Sequence, residues 1–326
     1  MFERILVPLD GSRFSELAIP TAGGLAARTG ASLHLLTVAS VPEGGMAGLD
    51  PAGGAVEATA EAATREAERY LHDALRRIQR GNPGVRTSSH VLGQGPAVSG
   101  IRQEAVRTEA DLIVMTTHGR GGIQRAWFGS VAQGIVRRAE RPVLLVRPTP
   151  GDGEANGDGD PMERAGAPFR RILVPLDGSR MAEKALDLAG AVAAADGAAL
   201  TLFRVVPPLV ASTYPFRTIP LRGEADGEEE GRRRAQSYLD DLAQGLRAQG
   251  VEVETGVKIS HHPALEVLDH VRESGADLVT MTTHGYGAAG RLFLGSVADK
   301  VVRGSEAPVL LQRIPDDDEE AGPRGT

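Results

Sequence analysis

The chain has 326 residues, 41% of them hydrophobic and 24% charged, with a net charge of -7 and no cysteine. The length fits two domains, and the composition excludes disorder throughout. An acidic balance without a basic patch argues against nucleic acid as a main partner, and the lack of cysteine removes disulfides, thiol catalysis and cysteine-held zinc or iron–sulfur centres.

Met1-Phe2-Glu3-Arg4 leads directly into the apolar run Ile5–Leu9, the first expected strand. No signal-peptide core precedes it, and no stretch approaches the ~18 apolar residues that suggest a membrane span. Neither export nor a membrane partner is expected, and the cytoplasm is the default location. Ser12 to Arg28 carries Leu17, Ala18 and Leu25 at helical spacing, and Leu33–Val38 is strand-like. Glu57 to Arg80 places Ala63, Ala67, Leu71, Ala74 and Ile78 on one helical face. A strand near Val85–Val91, a helix near Ala97–Val106, a strand Leu112–Met115, a helix from about Ser130 and a strand Val143–Val146 complete the first half.

Pro148 to Pro168 is rich in Gly, Asp and Pro, which predicts a flexible linker. The alternation then resumes: Ile172–Leu176, Ala182–Ala194, Leu200–Val205, Gly231–Ala248, Val251–Ile259, Ala264–Arg272, Leu278–Met281, Ser296–Arg303 and Val309–Leu311. Glu228, Glu229 and Glu230 stand four before Arg232, Arg233 and Arg234, a pattern of a solvated helix with i,i+4 pairs. The run Asp316 to Glu320 reads as a solvated acidic tail. The expected domains are 1–147 and 169–314, joined by the linker 148–168 and followed by a disordered tail 315–326. Strands alternating with helices give the fold class: α/β, two tandem doubly wound domains of Rossmann-like type, each a five-stranded parallel sheet flanked by helices.

The halves repeat each other. Arg4 to Arg13 and Arg171 to Arg180 both read RILVPLDGSR. Met115-Thr116-Thr117-His118-Gly119 returns as Met281-Thr282-Thr283-His284-Gly285, and Gly129-Ser130-Val131-Ala132 as Gly295-Ser296-Val297-Ala298. These echoes fall after strands or at helix starts, where open parallel sheets bind ligands. Asp10 or Asp177 can accept from a ribose hydroxyl or a base amine. Gly119 or Gly285 lets backbone approach a phosphate, and Gly129-Ser130 or Gly295-Ser296 offers free amides at a helix mouth. The same residues also suit plain turns and helix caps. His118 and His284 read as loop-ordering donors, and His261-His262 as a surface turn, so no metal site is expected. No Walker-type or dinucleotide glycine loop is present, and no nucleophilic triad.

These motifs together resemble the universal stress protein family, over nearly all of both halves. The VPLDGS start, the late THG, the GSVA step and the endings RPVLLV and APVLLQ carry the resemblance. Nine residues separate Gly119 from Gly129-Ser130, and nine separate Gly285 from Gly295-Ser296, as in that family's phosphate loop. Thr116 and Thr282 stand where the family has its first glycine, and a β-branched residue narrows the approach to the ligand. The resemblance implies an adenine-nucleotide site in each half, for ATP or for AMP or ADP, with Mg²⁺ able to bridge phosphates. Pro8, Asp10 and Val38, or Pro175, Asp177 and Val205, would line the adenosine. Met115 and Thr116, or Met281 and Thr282, would line the strand end. Val131 and Ala132, or Val297 and Ala298, would add amides for the phosphates. Arg125 and Arg291 occupy equivalent places in the two loops and suit either phosphate contact or plain solubility.

The resemblance also implies pairing through Val143–Val146 and Val309–Leu311, which would make the chain an intramolecular pseudo-dimer, with a homodimer of whole chains also open. The inserts Ser40 to Gly54 and Pro207 to Gly227, the latter with Tyr214 and Phe216, are lids or surface loops. The expected function is an ATP-binding stress-response or regulatory protein with little or no turnover. A slow ATPase and a nucleotide-free interaction module stay open beside it.

Overall fold

Ile5, Leu6 and Val7 are wholly buried, so the first apolar run lies inside a sheet covered on both faces. The structure is a computed structural model that describes residues 2–39, 54–93, 95–117, 128–147, 166–208, 224–283 and 294–313. The chain divides into two units, Met1–Pro168 and Phe169–Thr326.

The first unit contains strands β1 (Arg4–Leu9), β2 (Ser32–Val38), β3 (Thr87–Leu92), β4 (Leu112–Thr116) and β5 (Val143–Val146). Its helices are α1 (Arg13–Glu16), α2 (Ala18–Thr29), α3 (Gly54–Gly81), α4 (Ala97–Arg107) and α5 (Ser130–Arg138). All strand pairs are parallel, in the order β3-β2-β1-β4-β5. The chain runs from β1 outward to β3, then crosses back to β4 on the other flank of β1. That reversal leaves a crevice at the carboxyl ends of β1 and β4, where doubly wound sheets take ligands.

The second unit repeats the plan with β6 (Arg171–Pro175), β7 (Ala199–Val206), β8 (Val253–Ile259), β9 (Leu278–Thr282) and β10 (Val309–Gln312). Its helices are α6 (Arg180–Glu183), α7 (Ala185–Asp196), α8 (Glu224–Ala248), α9 (Pro263–Ser274) and α10 (Ser296–Gly304). The order is β8-β7-β6-β9-β10, again all parallel. An α/β fold with a parallel sheet flanked by helices is therefore present in each unit.

Each helix turns an apolar stripe to its sheet. Ala18, Ile19, Ala22, Leu25 and Ala26 of α2 are buried, as are Leu71, Ala74 and Ile78 of α3. Each large side chain removed from water in this way contributes about 1.5–3 kcal/mol. In the second pair of helices close approach depends on glycine. A Cβ on Gly134 of α5 would lie 2.6 Å from Val98 of α4, and one on Gly304 of α10 would lie 2.6 Å from Leu268 of α9. The strand starts are tied at the other end of the sheet. Asp111 accepts from the Glu3 amide at 2.6 Å, and Asp277 from the Arg170 and Arg171 amides at 2.8 and 3.0 Å.

Some boundaries differ from the sequence reading. The first helix of each half is broken in two, because Leu17 N–H bonds back to Phe14 and Lys184 N–H to Met181, three residues earlier rather than four. Helix α8 begins at Glu224, ahead of Gly231. Its acidic-basic run forms ion pairs at both spacings, Arg232–Glu229 and Arg233–Glu230 at three and Arg234–Glu230 at four. The end of the expected linker is held: the Gly166 amide donates to the Pro20 carbonyl at 2.9 Å, and Arg28 donates to the Gly166 carbonyl at 2.9 Å. A Cβ there would stand 2.2 Å from that Pro20 oxygen, so the position requires glycine. The rest of the expected linker and the acidic tail lie outside the described residues. Among the described residues no helix is long and apolar enough to cross a membrane.

Candidate functional site

The crevice begins where β1 ends. Gly11 has φ 78° and Gly178 φ 91°, so both turns after the first strand use a left-handed residue. Asp10 Oδ1 accepts from the Ser12 amide at 2.9 Å and from Ser12 Oγ at 2.5 Å. Ser12 Oγ in turn accepts from the Ser15 amide at 3.2 Å and caps α1. The copy is close: Asp177 Oδ1 accepts from the Ser179 amide at 2.9 Å, and Ser179 Oγ from the Ala182 amide at 3.1 Å. The turn-and-cap role of the Asp-Gly-Ser motif is thus present in both units. It engages Oδ1 and fixes where each carboxylate stands.

Across the crevice, β4 ends in Met115 and Thr116, both buried, and β9 in Met281 and Thr282, also buried. The next residues carry the link to the last helix. The Gly129 amide donates to the Thr117 carbonyl at 2.8 Å, and the Gly295 amide to the Thr283 carbonyl at 2.9 Å. The first helical bonds run from Gln133 to Gly129 and from Asp299 to Gly295. The amides of Ser130, Val131 and Ala132, and of Ser296, Val297 and Ala298, therefore stand ahead of the hydrogen-bonded ladder. Ser130 and Ser296 are exposed, while Ala132 and Ala298 are buried. Neither serine caps its helix through its side chain, since Gly129 and Gly295 are the caps.

Val38 and Val205 close this end from the second strand. Register sets Leu9 beside Thr37 in the first unit and Pro175 beside Phe203 in the second. Pro8, Asp10, Val38, Met115, Thr116 and Gly129 to Ala132 thus belong to one end of one sheet, as do Pro175, Asp177, Val205, Met281, Thr282 and Gly295 to Ala298. Gly119, Arg125, Gly285, Arg291 and the two loop histidines lie outside the described residues.

The structure adds partners that the motif reading missed. Tyr70 of α3 donates to Glu16 at 3.1 Å, and Tyr238 of α8 donates to Glu183 at 3.0 Å. Burial first, then the neighbouring glutamate, pushes both phenols well above their usual range. The repetition of Glu16 as Glu183 and of Tyr70 as Tyr238 was the available signal. Ser15 Oγ meets the Asp10 amide at 3.3 Å, but Ala182 replaces it in the second unit, so repetition gave no hint.

A second polar cluster lies in the first unit between β2, β3 and α4. Glu104, only 2% exposed, takes His34 Nε2 at 2.6 Å, His90 Nδ1 at 3.0 Å and Arg107 Nε at 2.8 Å. His34 Nδ1 meets Ser88 Oγ at 2.8 Å. A neutral His34 ring with its proton on Nε2 satisfies both contacts. Burial pushes the Glu104 carboxyl up, but the bonds from Arg107, His34 and His90 outweigh it and bring it to about 2. Among the described residues no group of three or more acidic or histidine side chains is arranged to hold a metal ion.

Two doubly wound units, each with a capped carboxylate turn at the end of its first strand and an open helix mouth after its fourth, define a tandem protein of the doubly wound α/β class. The universal stress protein family model matches residues 1–147 and 168–313. The chain belongs to the universal stress protein family, with one copy of the domain in each unit. A universal stress protein of Thermus aquaticus is 35% identical over 146 residues, covering 44% of this chain and 99% of that protein. The crystal structure of a universal stress protein from Archaeoglobus fulgidus covers 95% of this chain and 98% of that one, with a TM-score of 0.64 at 20% identity. Another similar structure is a universal stress protein in complex with cAMP, 25% identical, covering 46% of this chain and 100% of that one at a TM-score of 0.32.

Proposed function

We propose that this chain is an adenine-nucleotide-binding regulatory protein, with one crevice in each unit and little or no turnover. The observation that carries the reading is the bond from the Gly129 amide to the Thr117 carbonyl, with its copy from Gly295 to Thr283. It holds the mouth of the last helix at the tip of the fourth strand, one strand from the aspartate turn. Free amides and the positive end of the helix dipole then face the place where phosphates would lie. Asp10 or Asp177 would meet the ribose, and Val38 or Val205 the base. Mg²⁺ would enter with the phosphates, bridging their oxygens.

Low turnover follows from how the aspartates are used. Each holds its own turn through Oδ1, which supports a positioning role rather than that of a general base. The test is equilibrium binding of ATP, ADP and AMP to the full chain, together with mass analysis of small molecules released from freshly purified protein. A copurifying adenine nucleotide, or saturable ATP binding at micromolar to low millimolar concentration, supports the reading. ATP binding that stays undetectable at millimolar concentration ends it.

A further inference from the structure

The two units differ at one position of the second strand, which in the second unit lies beside the aspartate turn. The residue before Val38 is Thr37, a buried side chain in β2. The residue before Val205 is Arg204 in β7, half-buried and charged. Its guanidinium lies against the Asp177-Gly178-Ser179 turn, so closely that a Cβ on Gly178 would stand 2.5 Å from Nη2 and 2.8 Å from Cζ. The Arg204 Cζ also sits over the Tyr238 ring, 5.0 Å from its centroid. That ring is anchored by its own bond to Glu183. Among the described residues no carboxylate lies within ion-pairing distance of Arg204, which leaves its donors to a ligand.

Position across the sheet says which part of a ligand Arg204 would meet. In the second unit β6 lies between β9 and β7. The helix mouth that would take the 5′-phosphates follows β9, and the aspartate turn follows β6. Arg204 is on β7, on the far side of the aspartate turn from that mouth. An anion it reads therefore belongs to the sugar rather than to the 5′ chain. In dinucleotide folds a carboxylate takes the hydroxyl of a plain ribose, and an arginine nearby accommodates a phosphate on the ribose. The planar guanidinium, pinned on an aromatic face, suits a phosphate in two-point contact.

We propose that Arg204 makes the second crevice selective for an adenine nucleotide carrying a phosphate on its ribose, a preference that the first crevice, with Thr37, lacks. The inference rests on the nucleotide reading above and deepens it. Titration of the full chain with AMP, adenosine 2′,5′-bisphosphate and adenosine 3′,5′-bisphosphate tests it, with inorganic phosphate as a control. The expected result is one bisphosphate bound about tenfold more tightly than AMP, at one site per chain, as one added charge-assisted contact would give. In Arg204→Thr the ratio of bisphosphate to AMP affinity should fall to about one, while Arg204→Lys should keep part of it. If the threonine variant does not fold, Arg204→Gln keeps the aliphatic stem and reads the same ratio. AMP or ATP binding with no bisphosphate preference, or a preference that survives loss of the charge, overturns this inference and leaves the nucleotide reading standing. Failure of all adenine nucleotides to bind overturns both.

Discussion

Glu104 sits almost wholly out of water with two imidazoles and a guanidinium around it, so its removal strands the buried His34 Nε2, while the more exposed His90 and Arg107 can turn to water. Glu104→Ala should lower the stability of the first unit by about 1–3 kcal/mol, measured by urea unfolding. A change below about 0.5 kcal/mol would mean that the cluster contributes no more than an ordinary surface site. The same side chains set the response to acid. Burial holds the His34 ring below its ordinary 6.5, against the opposing pull of Glu104, and burial does the same to His270 in the second unit. Below that value the unfolded chain takes up protons that the folded units refuse, so stability falls as the pH drops. Glu104 acts in the same sense at lower pH. Its carboxyl is at about 2 against an ordinary 4.5, so its stabilising effect is full above 4.5 and is lost on the way down towards 2. The unfolding midpoint should therefore decline between about pH 7 and 5, and His34→Gln with His270→Phe should flatten that decline. An unchanged slope in the double variant would assign the effect elsewhere.

Helix α5 and its copy α10 carry the functional argument, and their first residue offers a sharp test. Gly129 has φ −66° and Gly295 φ −55°, values that proline can adopt. Gly129→Pro with Gly295→Pro would remove only the amides that tie each helix mouth to its strand. Stability should drop by about 0.5–1.5 kcal/mol per site, while ATP affinity should fall about tenfold or more, read by calorimetry. Intact affinity would show that those ties do not place the phosphate site. Elsewhere Gly134→Ala should cost about 1–3 kcal/mol by thermal unfolding, because Val98 occupies the space a methyl needs.

At this scale much was legible from the sequence. The run Leu112 to Met115 reads as a strand buried on both faces, and β4 is buried throughout; the doubled motifs fall after strands and at helix starts, as their spacing suggests. The break at Leu17 was not legible, because a shift from a four-residue to a three-residue bond leaves the apolar spacing almost unchanged. The early start of α8 was hidden for a different reason: a helix turn held by ion pairs has no apolar period to read. Arg204 on Tyr238 joins a strand to a helix more than thirty residues on, and no local pattern encodes such a contact.

Over the whole chain, duplication has kept the backbone ties and let the side chains between them diverge. Glu104 among its histidines in the first unit gives way to His270 stacked on Phe203 at 4.4 Å in the second. Each unit closes its own core around its own five strands. A chain cleaved at an engineered site within 148–165 should therefore keep its helical signal and yield two fragments that each unfold cooperatively, followed by circular dichroism. Collapse of either fragment would show that its core is incomplete alone. One feature of this plan also governs how the protein is made. In both units the strand that comes first ends at the centre of the sheet, flanked by one neighbour about thirty residues later and by another about a hundred residues later. On a ribosome adding roughly 5–20 residues per second, the first strand waits several seconds with one flank unclaimed, and it does so twice per chain. Nascent copies on crowded polysomes are then most exposed to mispairing during those intervals, and a chaperone that shields bare strands would act there first.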